Sequence, residues 1–204
     1  DKQEDFYRQW LNDHLDPARY AHSLGTQRAA AALARRFGED PGRASLAGLL
    51  HDCGKSLDDA SLVRAARAYG FDIDEILLRC PALLHAPAGA WIAREQLGVT
   101  DAAVLSAICW HTVPRPDMSA LDKVVSVADL IEPTRSYPGV DRLRLAAERD
   151  LDEAFMLGLE RVMIHVLERG YLLHPTTVTV YNSIRWNRME NAQDLARQER
   201  EPIA

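Results

Sequence analysis

Histidine and aspartate stand side by side at residues 51 and 52, in the string Leu49-Leu50-His51-Asp52-Cys53-Gly54-Lys55. An imidazole next to a carboxylate offers the mixed nitrogen and oxygen ligands that suit a transition metal. Lys55 adds a compact positive charge suited to phosphate. We expect Gly54 to take the positive φ that ends a helix and turns Lys55 back toward the ligands. On its own, the string is equally typical of a helix C-terminus with a favourably placed cation.

Further ligand-type residues lie on otherwise apolar segments: His22, His85, His111 and Asp129. Asp129 is the most informative, because it lies within Val127-Ala128-Asp129-Leu130-Ile131 and a buried carboxylate is costly unless it is paired or bound to metal. A hydrogen bond or ion pair between helices is the alternative for Asp129. Each histidine taken alone could satisfy a core or cap hydrogen bond. His14 and His165 have no companion motif and are interpreted as structural.

Composition limits the kinds of function. The chain has 204 residues, of which 47% are hydrophobic and 26% charged, as expected for one globular domain with or without a short extension. A net charge of −6 gives no broad basic surface for duplex nucleic acid. Residues 1–13 lack the apolar stretch of a signal peptide, and no apolar run is long enough to span a membrane. Three scattered cysteines without a CxxC motif favour a reduced, cytoplasmic protein.

The candidate ligands fall at or near the ends of predicted helices. Asp-Pro pairs at 16–17 and 40–41 predict helix starts, the first helix stopping at Gly38 and the second at His51-Asp52. Ser119 and Asp122 form a predicted capping box. Other helices are predicted over 5–14, with Phe6, Trp10 and Leu11 on one face, and over 58–69, 73–79, 85–97, 102–110, 121–131, 141–149, 151–169 and from about 178 to 197. Residues 178–181 are the one β-like stretch, so the chain is predicted to be an all-α helical bundle.

The order of His22, His51-Asp52, His85, His111 and Asp129 resembles the HD-domain superfamily of metal-dependent phosphohydrolases. The detailed strings are similar to one branch, the YqeK family: His22-Ser23-Leu24-Gly25, His51-Asp52-x-Gly54-Lys55, Leu84-His85-Ala86-Pro87-x-Gly89-Ala90, Trp110-His111-Thr112, Val127-Ala128-Asp129-x-Ile131-Glu132-Pro133, Arg135-Ser136-Tyr137-Pro138-Gly139-Val140, Pro175-x-Thr177 and Tyr181-Asn182. The similarity covers about residues 17–183 of one HD domain spanning 1–204, and residues 188–204 form a C-terminal helical tail. It implies an all-α HD-domain bundle that hydrolyses diadenosine tetraphosphate symmetrically to two ADP.

The resemblance also implies a ligand set. It assigns the first metal to His22, His51, Asp52 and Asp129, with Asp52 able to reach between two metals. His85 and His111 would complete a second metal site or, where one metal is bound, contact phosphate. Iron is the expected ion, in one or two copies, with manganese, cobalt and zinc as open alternatives. The catalytic residues are expected to be Asp52, Lys55, His85 and His111, which act with a metal-activated water.

Nucleotide and phosphate contacts are expected from a larger set. Lys55 and Arg135 are the strongest phosphate partners, Arg19 lies one helical turn before His22, and Arg115 is interpreted as a solvated loop residue. A strip at 172–177 is assigned to the nucleotide by resemblance alone. The full expected set is Arg19, His22, Asp52, Cys53, Gly54, Lys55, His85, His111, Thr112, Asp129, Arg135, Leu172, Leu173, His174, Pro175, Thr176 and Thr177.

Two other functions stay open at this point. One is another HD phosphohydrolase, acting on a nucleoside monophosphate, a deoxynucleoside triphosphate or an alarmone. The other is a regulatory module that binds metal and ADP without turnover, although degenerate HD modules usually lose ligands. The expected partners are a dinucleoside polyphosphate and ADP, without duplex nucleic acid or membrane, and a homodimer is an open alternative.

Overall fold

The computed structural model describes residues 2–198, with side chains described through residue 192. All regular elements in this part of the chain are helical, which confirms the all-α class. The helices are α1 Lys2–His14, α2 Pro17–Phe37, α3 Pro41–Leu50, α4 Asp59–Tyr69, α5 Glu75–Arg79, α6 His85–Glu95, α7 Ala102–Trp110, α8 Ala120–Ile131, α9 Val140–Ala147, α10 Leu151–Glu168 and α11 Pro175–Gln198. Two short 3₁₀ turns, Cys53–Ser56 and Pro81–Leu84, lie between them.

Side-chain caps set the starts of the helices that carry the site. Asp16 accepts a hydrogen bond from the Arg19 backbone at the start of α2, and Asp40 caps α3 in the same way, both before a proline. α2 ends at Gly38, whose φ is 76°. The predicted Ser119–Asp122 capping box opens α8. These caps fix where α2, α3 and α8 begin.

The core lies where α2, α3, α7 and α8 pack together. Its fully buried side chains include Leu49, Leu50, Ile108, Val124 and Val127. A smaller apolar cluster lies between α4 and α6. α10 packs along α8 and is followed by α11. This arrangement brings the C-terminal ends of α3 and α8 next to His22 in the N-terminal part of α2, and the end of α7 next to the end of α3.

Some local expectations were wrong. Leu11 is buried and Trp10 packs against the core as predicted, but Phe6 is 51% exposed and Tyr7 faces the core in its place. The β-like residues 178–181 lie inside α11, where packing of Val180 against the core outweighs β-propensity. α6 ends at Glu95, before Leu97. Residues 199–204 of the expected C-terminal tail lie outside the described residues. No helix of the described chain has the length and hydropathy to cross a membrane.

Candidate metal centre

Three of the site histidines directly follow the last residue of a helical segment. In each, Nδ1 lies against the carbonyl oxygen three residues earlier. At the ends of α3 and α7 this carbonyl is one that a helix end leaves without a backbone partner, whereas the Ala82 carbonyl also accepts from the His85 backbone N–H. The pairs are His51–Gly48 at 2.8 Å, His85–Ala82 at 2.6 Å and His111–Ile108 at 2.7 Å. A carbonyl oxygen can only accept a hydrogen bond, so Nδ1 carries the proton. Nε2 therefore has a free lone pair that can bind a metal ion.

The fourth histidine, His22, lies within α2. Its Nδ1 is 3.0 Å from Oε1 of Glu132, a carboxylate with no solvent exposure. A carboxylate is also an acceptor, so this contact too places the proton on Nδ1. All four Nε2 atoms are therefore turned toward one space.

The Nε2 atoms meet in two pairs, His22 with His51 at 3.2 Å and His85 with His111 at 3.1 Å. Two bare imidazole lone pairs at such a distance repel each other unless a proton or a metal ion shares them. Imidazole nitrogens with carboxylate oxygens are the ligands that iron, manganese and zinc accept. The residues thus fit a metal ion, and two groups have donor atoms within 4.8 Å of one another: His22, His51 and Asp129, and His51, Asp52 and His111.

Asp52 lies between the two histidine pairs. Its Oδ2 is 3.5 Å from Nε2 of His51 and 3.8 Å from Nε2 of His22. Its Oδ1 is 3.2 Å from Nε2 of His85 and 3.8 Å from Nε2 of His111. Each oxygen faces one pair, which is the arrangement that a bridging carboxylate requires.

Asp129 adds a second carboxylate on the His22 side. Its Oδ1 is 2.9 Å from Nε2 of His22, and it pairs with Arg135. Burial acts against protonation of His22, but Asp129 and Glu132 outweigh it and raise the pKa of His22. Burial lowers the pKa of His85 to about 4, with only partial compensation from Asp52. Protonation is therefore favoured at His22 and disfavoured at His85.

Cationic side chains border the ligands. Arg19 donates from Nη1 to Oδ2 of Asp52 at 2.6 Å, and Arg135 donates to the backbone and side chain of Asp129. Lys55 lines the same cavity. Because each arginine lies beside a ligand carboxylate, a phosphate group near the centre would be within reach of the same guanidinium groups.

The centre opens into a cavity of about 290 Å³. One wall carries Asp52, Asp129, the two histidines 85 and 111, and the cations; the Thr112 hydroxyl is 3.0 Å from Nε2 of His85. The facing wall is apolar and comes mainly from α8 and α10: Leu130, Phe155, Gly158, Leu159 and Val162, with Pro114. Phe155, Leu159 and Val162 recur at helical spacing in the sequence, a pattern that did not indicate that they line a cavity.

Several expected contacts lie elsewhere in the described chain. Residues 172–177 do not line this cavity, and His174 pairs with Asp74 at 2.8 Å. The Cys53 thiol is buried and donates to the Gly89 carbonyl. Arg115 lies in a loop with its side chain 41% exposed, over the Trp110 ring and 3.5 Å from the buried Asp122. His14 stacks on Trp10, away from the site.

The backbone of Gly54 differs from the positive φ expected from the sequence. Its φ is not positive, and it lies in the 3₁₀ turn Cys53–Ser56. A Cβ on Gly54 would lie 2.1 Å from the His85 carbonyl oxygen and 2.8 Å from the Gly89 nitrogen. Glycine is required here because the turn that carries Lys55 packs directly on the backbone of α6.

Sequence reasoning assigned no role to Glu132 or Gly25. Both occur in the quoted strings, Gly25 three residues after His22 and Glu132 three residues after Asp129. A Cβ on Gly25 would lie 2.3 Å from Oε2 of Glu132. The signal that could have found this contact is a glycine inside a helical pattern, which often marks close approach of another group.

Comparison with known proteins adds an independent finding. The HD domain family model matches residues 19–134. The chain is 37% identical to "Bis(5'-nucleosyl)-tetraphosphatase, symmetrical" of Halalkalibacterium halodurans, over 86% of this chain and 94% of that one. Identity to the Bacillus subtilis protein of the same description is 36%, over 86% and 91% of the two chains.

A solved structure is also similar. It is the crystal structure of a predicted HD superfamily hydrolase involved in NAD metabolism from Clostridium acetobutylicum. The TM-score is 0.86 at 36% identity, covering 90% of this chain and 97% of that one. The structural similarity therefore extends over most of the chain and is not confined to the residues of the HD domain family model.

Proposed function

Because this chain belongs to the HD-domain family, and within it to the YqeK-type symmetrical bis(5'-nucleosyl)-tetraphosphatases, we propose that it hydrolyses diadenosine tetraphosphate to two ADP. The observation that carries the proposal is Asp52, which faces two pairs of imidazole nitrogens with its two oxygens, next to Arg19. The metal ligands and a cation suited to phosphate thus both lie next to the Asp52 carboxylate. This arrangement supports metal-dependent hydrolysis of a phosphate chain.

We propose that His22, His51, Asp52 and Asp129 hold one metal ion, and that His85 and His111 hold a second ion or contact phosphate. Iron is the proposed ion, on the family resemblance. A metal ion held by these residues would polarise a phosphoryl oxygen and lower the pKa of a bound water molecule. The protonated Nδ1 atoms of the histidines fit this role, since each ring is already fixed in the tautomer that offers Nε2.

The remaining residues orient the substrate. Arg135 and Lys55 lie where they can neutralise charge on the equatorial phosphate oxygens, and Arg19 adds a third cation. Asp52 orients the attacking water, since its two oxygens reach both halves of the centre. Thr112, beside His85, offers a hydroxyl to a phosphate oxygen.

The cavity supports binding of one half of the substrate. Its volume of about 290 Å³ lies near the lower end of the range for small-molecule sites, roughly 300–1,000 Å³. One ADP half would be bound in the cavity, so that the scissile bond follows the second phosphate from the bound adenosine. The other half would point toward solvent. Cleavage at that bond gives ADP from both halves.

The nucleoside contacts at 172–177 stay a prediction from resemblance. A cytoplasmic location also stays a prediction, and the three described cysteines, Cys53, Cys80 and Cys109, are free thiols as it requires. A homodimer is likewise an open prediction.

The function can be tested with anaerobically purified, iron-loaded protein and diadenosine tetraphosphate. We expect ADP as the sole nucleotide product, with heavy oxygen from labelled water in one of the two ADP molecules. Chelator-treated protein serves as the matched control and should lose turnover. Equal amounts of AMP and ATP would contradict symmetric cleavage, and absence of turnover with bound metal and ADP would favour the regulatory alternative.

A further inference from the structure

Glu132 is a fully buried carboxylate just after the last residue of α8. It accepts hydrogen bonds from the His22 ring at 3.0 Å, from the Thr134 backbone at 2.8 Å and from the Thr134 hydroxyl. A carboxylate without solvent exposure is costly unless it is hydrogen-bonded, and these three donors supply its hydrogen bonds.

The fold makes room for this carboxylate at a cost. Gly25 lies in the middle of α2, three residues after His22, where glycine destabilises a helix relative to alanine. A Cβ there would lie 2.3 Å from Oε2 and 3.1 Å from Cδ of Glu132. A fully buried carboxylate and a glycine inside a helix are each unfavourable for stability, and here the two residues are in direct contact.

His22 also differs from the other three histidines. Their Nδ1 atoms face neutral backbone carbonyls, whereas Nδ1 of His22 faces a charged side chain. A carboxylate behind an imidazole fixes its tautomer, orients the ring and raises the basicity of the nitrogen on the far side. On His22 that nitrogen is Nε2, which lies 3.2 Å from Nε2 of His51 and 2.9 Å from Asp129.

We propose that Glu132 is a positioning residue that holds His22 with Nδ1 protonated and thereby sets the metal affinity of the His22 side of the centre. The inference rests on the proposed metal centre, but not on the identity of the substrate. Gly25 belongs to the same device, because it leaves the space that Glu132 occupies.

The test is Glu132→Gln, which keeps the shape of the side chain. The amide must place its NH₂ group either toward His22 and the Thr134 hydroxyl, or toward the Thr134 backbone N–H. The first option presents a donor to Nδ1 of His22, and the second breaks the hydrogen bond from Thr134. We expect Zn²⁺ titration of the metal-free protein to show about 10- to 100-fold weaker binding. Affinity within about threefold of wild type would overturn the proposal.

A second measurement separates orientation from general damage. In zinc-loaded wild-type protein, the Nδ1 proton of His22 should give a downfield NMR signal, because it is hydrogen-bonded to a carboxylate. In Glu132→Gln the signal should move upfield or disappear by exchange, while those of His51, His85 and His111 stay. An unmoved His22 signal would overturn the proposal even if affinity fell.

Thr134→Val is the matched control. It removes one donor from the same carboxylate oxygen and leaves the contact with His22, and residue 134 is exposed, so the fold should tolerate it. We expect its Zn²⁺ affinity within threefold of wild type; an equal loss in both variants would overturn the assignment. If Glu132→Gln does not fold, Glu132→Asp, which keeps the charge but withdraws it from His22, should show the same weaker binding. These readings use metal alone, so they stand whether or not diadenosine tetraphosphate is turned over.

Discussion

The two halves of the metal centre use the same residue type in different surroundings. His22 is flanked by the carboxylates of Asp129 and Glu132, which raise its pKa. His85 has a carbonyl, a hydroxyl and one oxygen of Asp52 as neighbours, and burial lowers its pKa to about 4. Protonation is therefore favoured at His22, between two carboxylates, and disfavoured at His85. A tightly held metal is therefore expected in the first half, with a second metal or a phosphate in the other.

Asp52→Ala should have the largest effect, because Asp52 is the residue that the two halves share. We expect turnover below about 1% of wild type, since losing such a ligand costs several kcal/mol of barrier, and depletion of bound metal. Turnover and metal analysis by mass spectrometry measure both. His14→Ala, far from the centre on α1, should change neither. Turnover above that level in Asp52→Ala would mean that the halves do not depend on a common ligand.

His111→Ala tests the second half alone. If two metals bind, the count should fall from two to one; if one binds, the count should stay and KM or kcat should change instead. Metal analysis with steady-state kinetics on the same preparation distinguishes the cases. His165→Ala, an exposed residue of α10, is the control. Unchanged count together with unchanged kinetics would contradict both versions.

Arg135→Ala removes the cation on the His22 side. We expect turnover and inhibition by ADP to weaken together, by about 1.5–3 kcal/mol, the worth of a charge-assisted phosphate contact. Arg64→Ala, which removes a surface arginine bonded to Ser61, should leave both unchanged. Loss of turnover without loss of ADP inhibition would place Arg135 with the ligands rather than with the phosphates.

Lowering the pH should increase the difference in metal affinity between the His22 half and the His85 half of the centre. The raised pKa of His22 means that a proton competes with metal already above pH 6.5, and competition grows by up to about tenfold per unit below that pKa. His85, with a pKa of about 4, stays neutral and open to metal across this range. Zn²⁺ titrations between pH 7.5 and 5.5 should therefore show progressive loss at the His22 half first. Equal loss at both halves would contradict the assigned charges.

The sequence was sufficient for features that depend on local chemistry. Asp16-Pro17, Asp40-Pro41 and Ser119 predicted helix starts because capping is decided by a few adjacent residues. The family resemblance, and not the spacing of the residues, predicted which side chains meet at the site, because spacing alone does not show which helix ends lie together. These side chains are His22, His51-Asp52, His85, His111 and Asp129.

Features that depend on distant contacts were not predicted. Gly54 was assigned to a positive φ, whereas its reason is the His85 carbonyl, 31 positions further along the chain. Glu132 had no assigned role, because its partner lies 110 residues earlier in the sequence. The apolar cavity wall on α10 was not predicted either, since helical spacing does not tell a core face from a face that lines a cavity.

The placement of the histidines at helix ends has a consequence for stability. The six ligand residues come from five separate places in the chain: α2, the ends of α3 and α7, the start of α6, and α8. An ion held among them would act as a cross-link that the unfolded chain cannot form. At a free concentration one hundred times its Kd, such an ion adds about 2.7 kcal/mol to the free energy of unfolding. Calorimetry with and without chelator should thus show one cooperative transition that moves to lower temperature when the ion is removed.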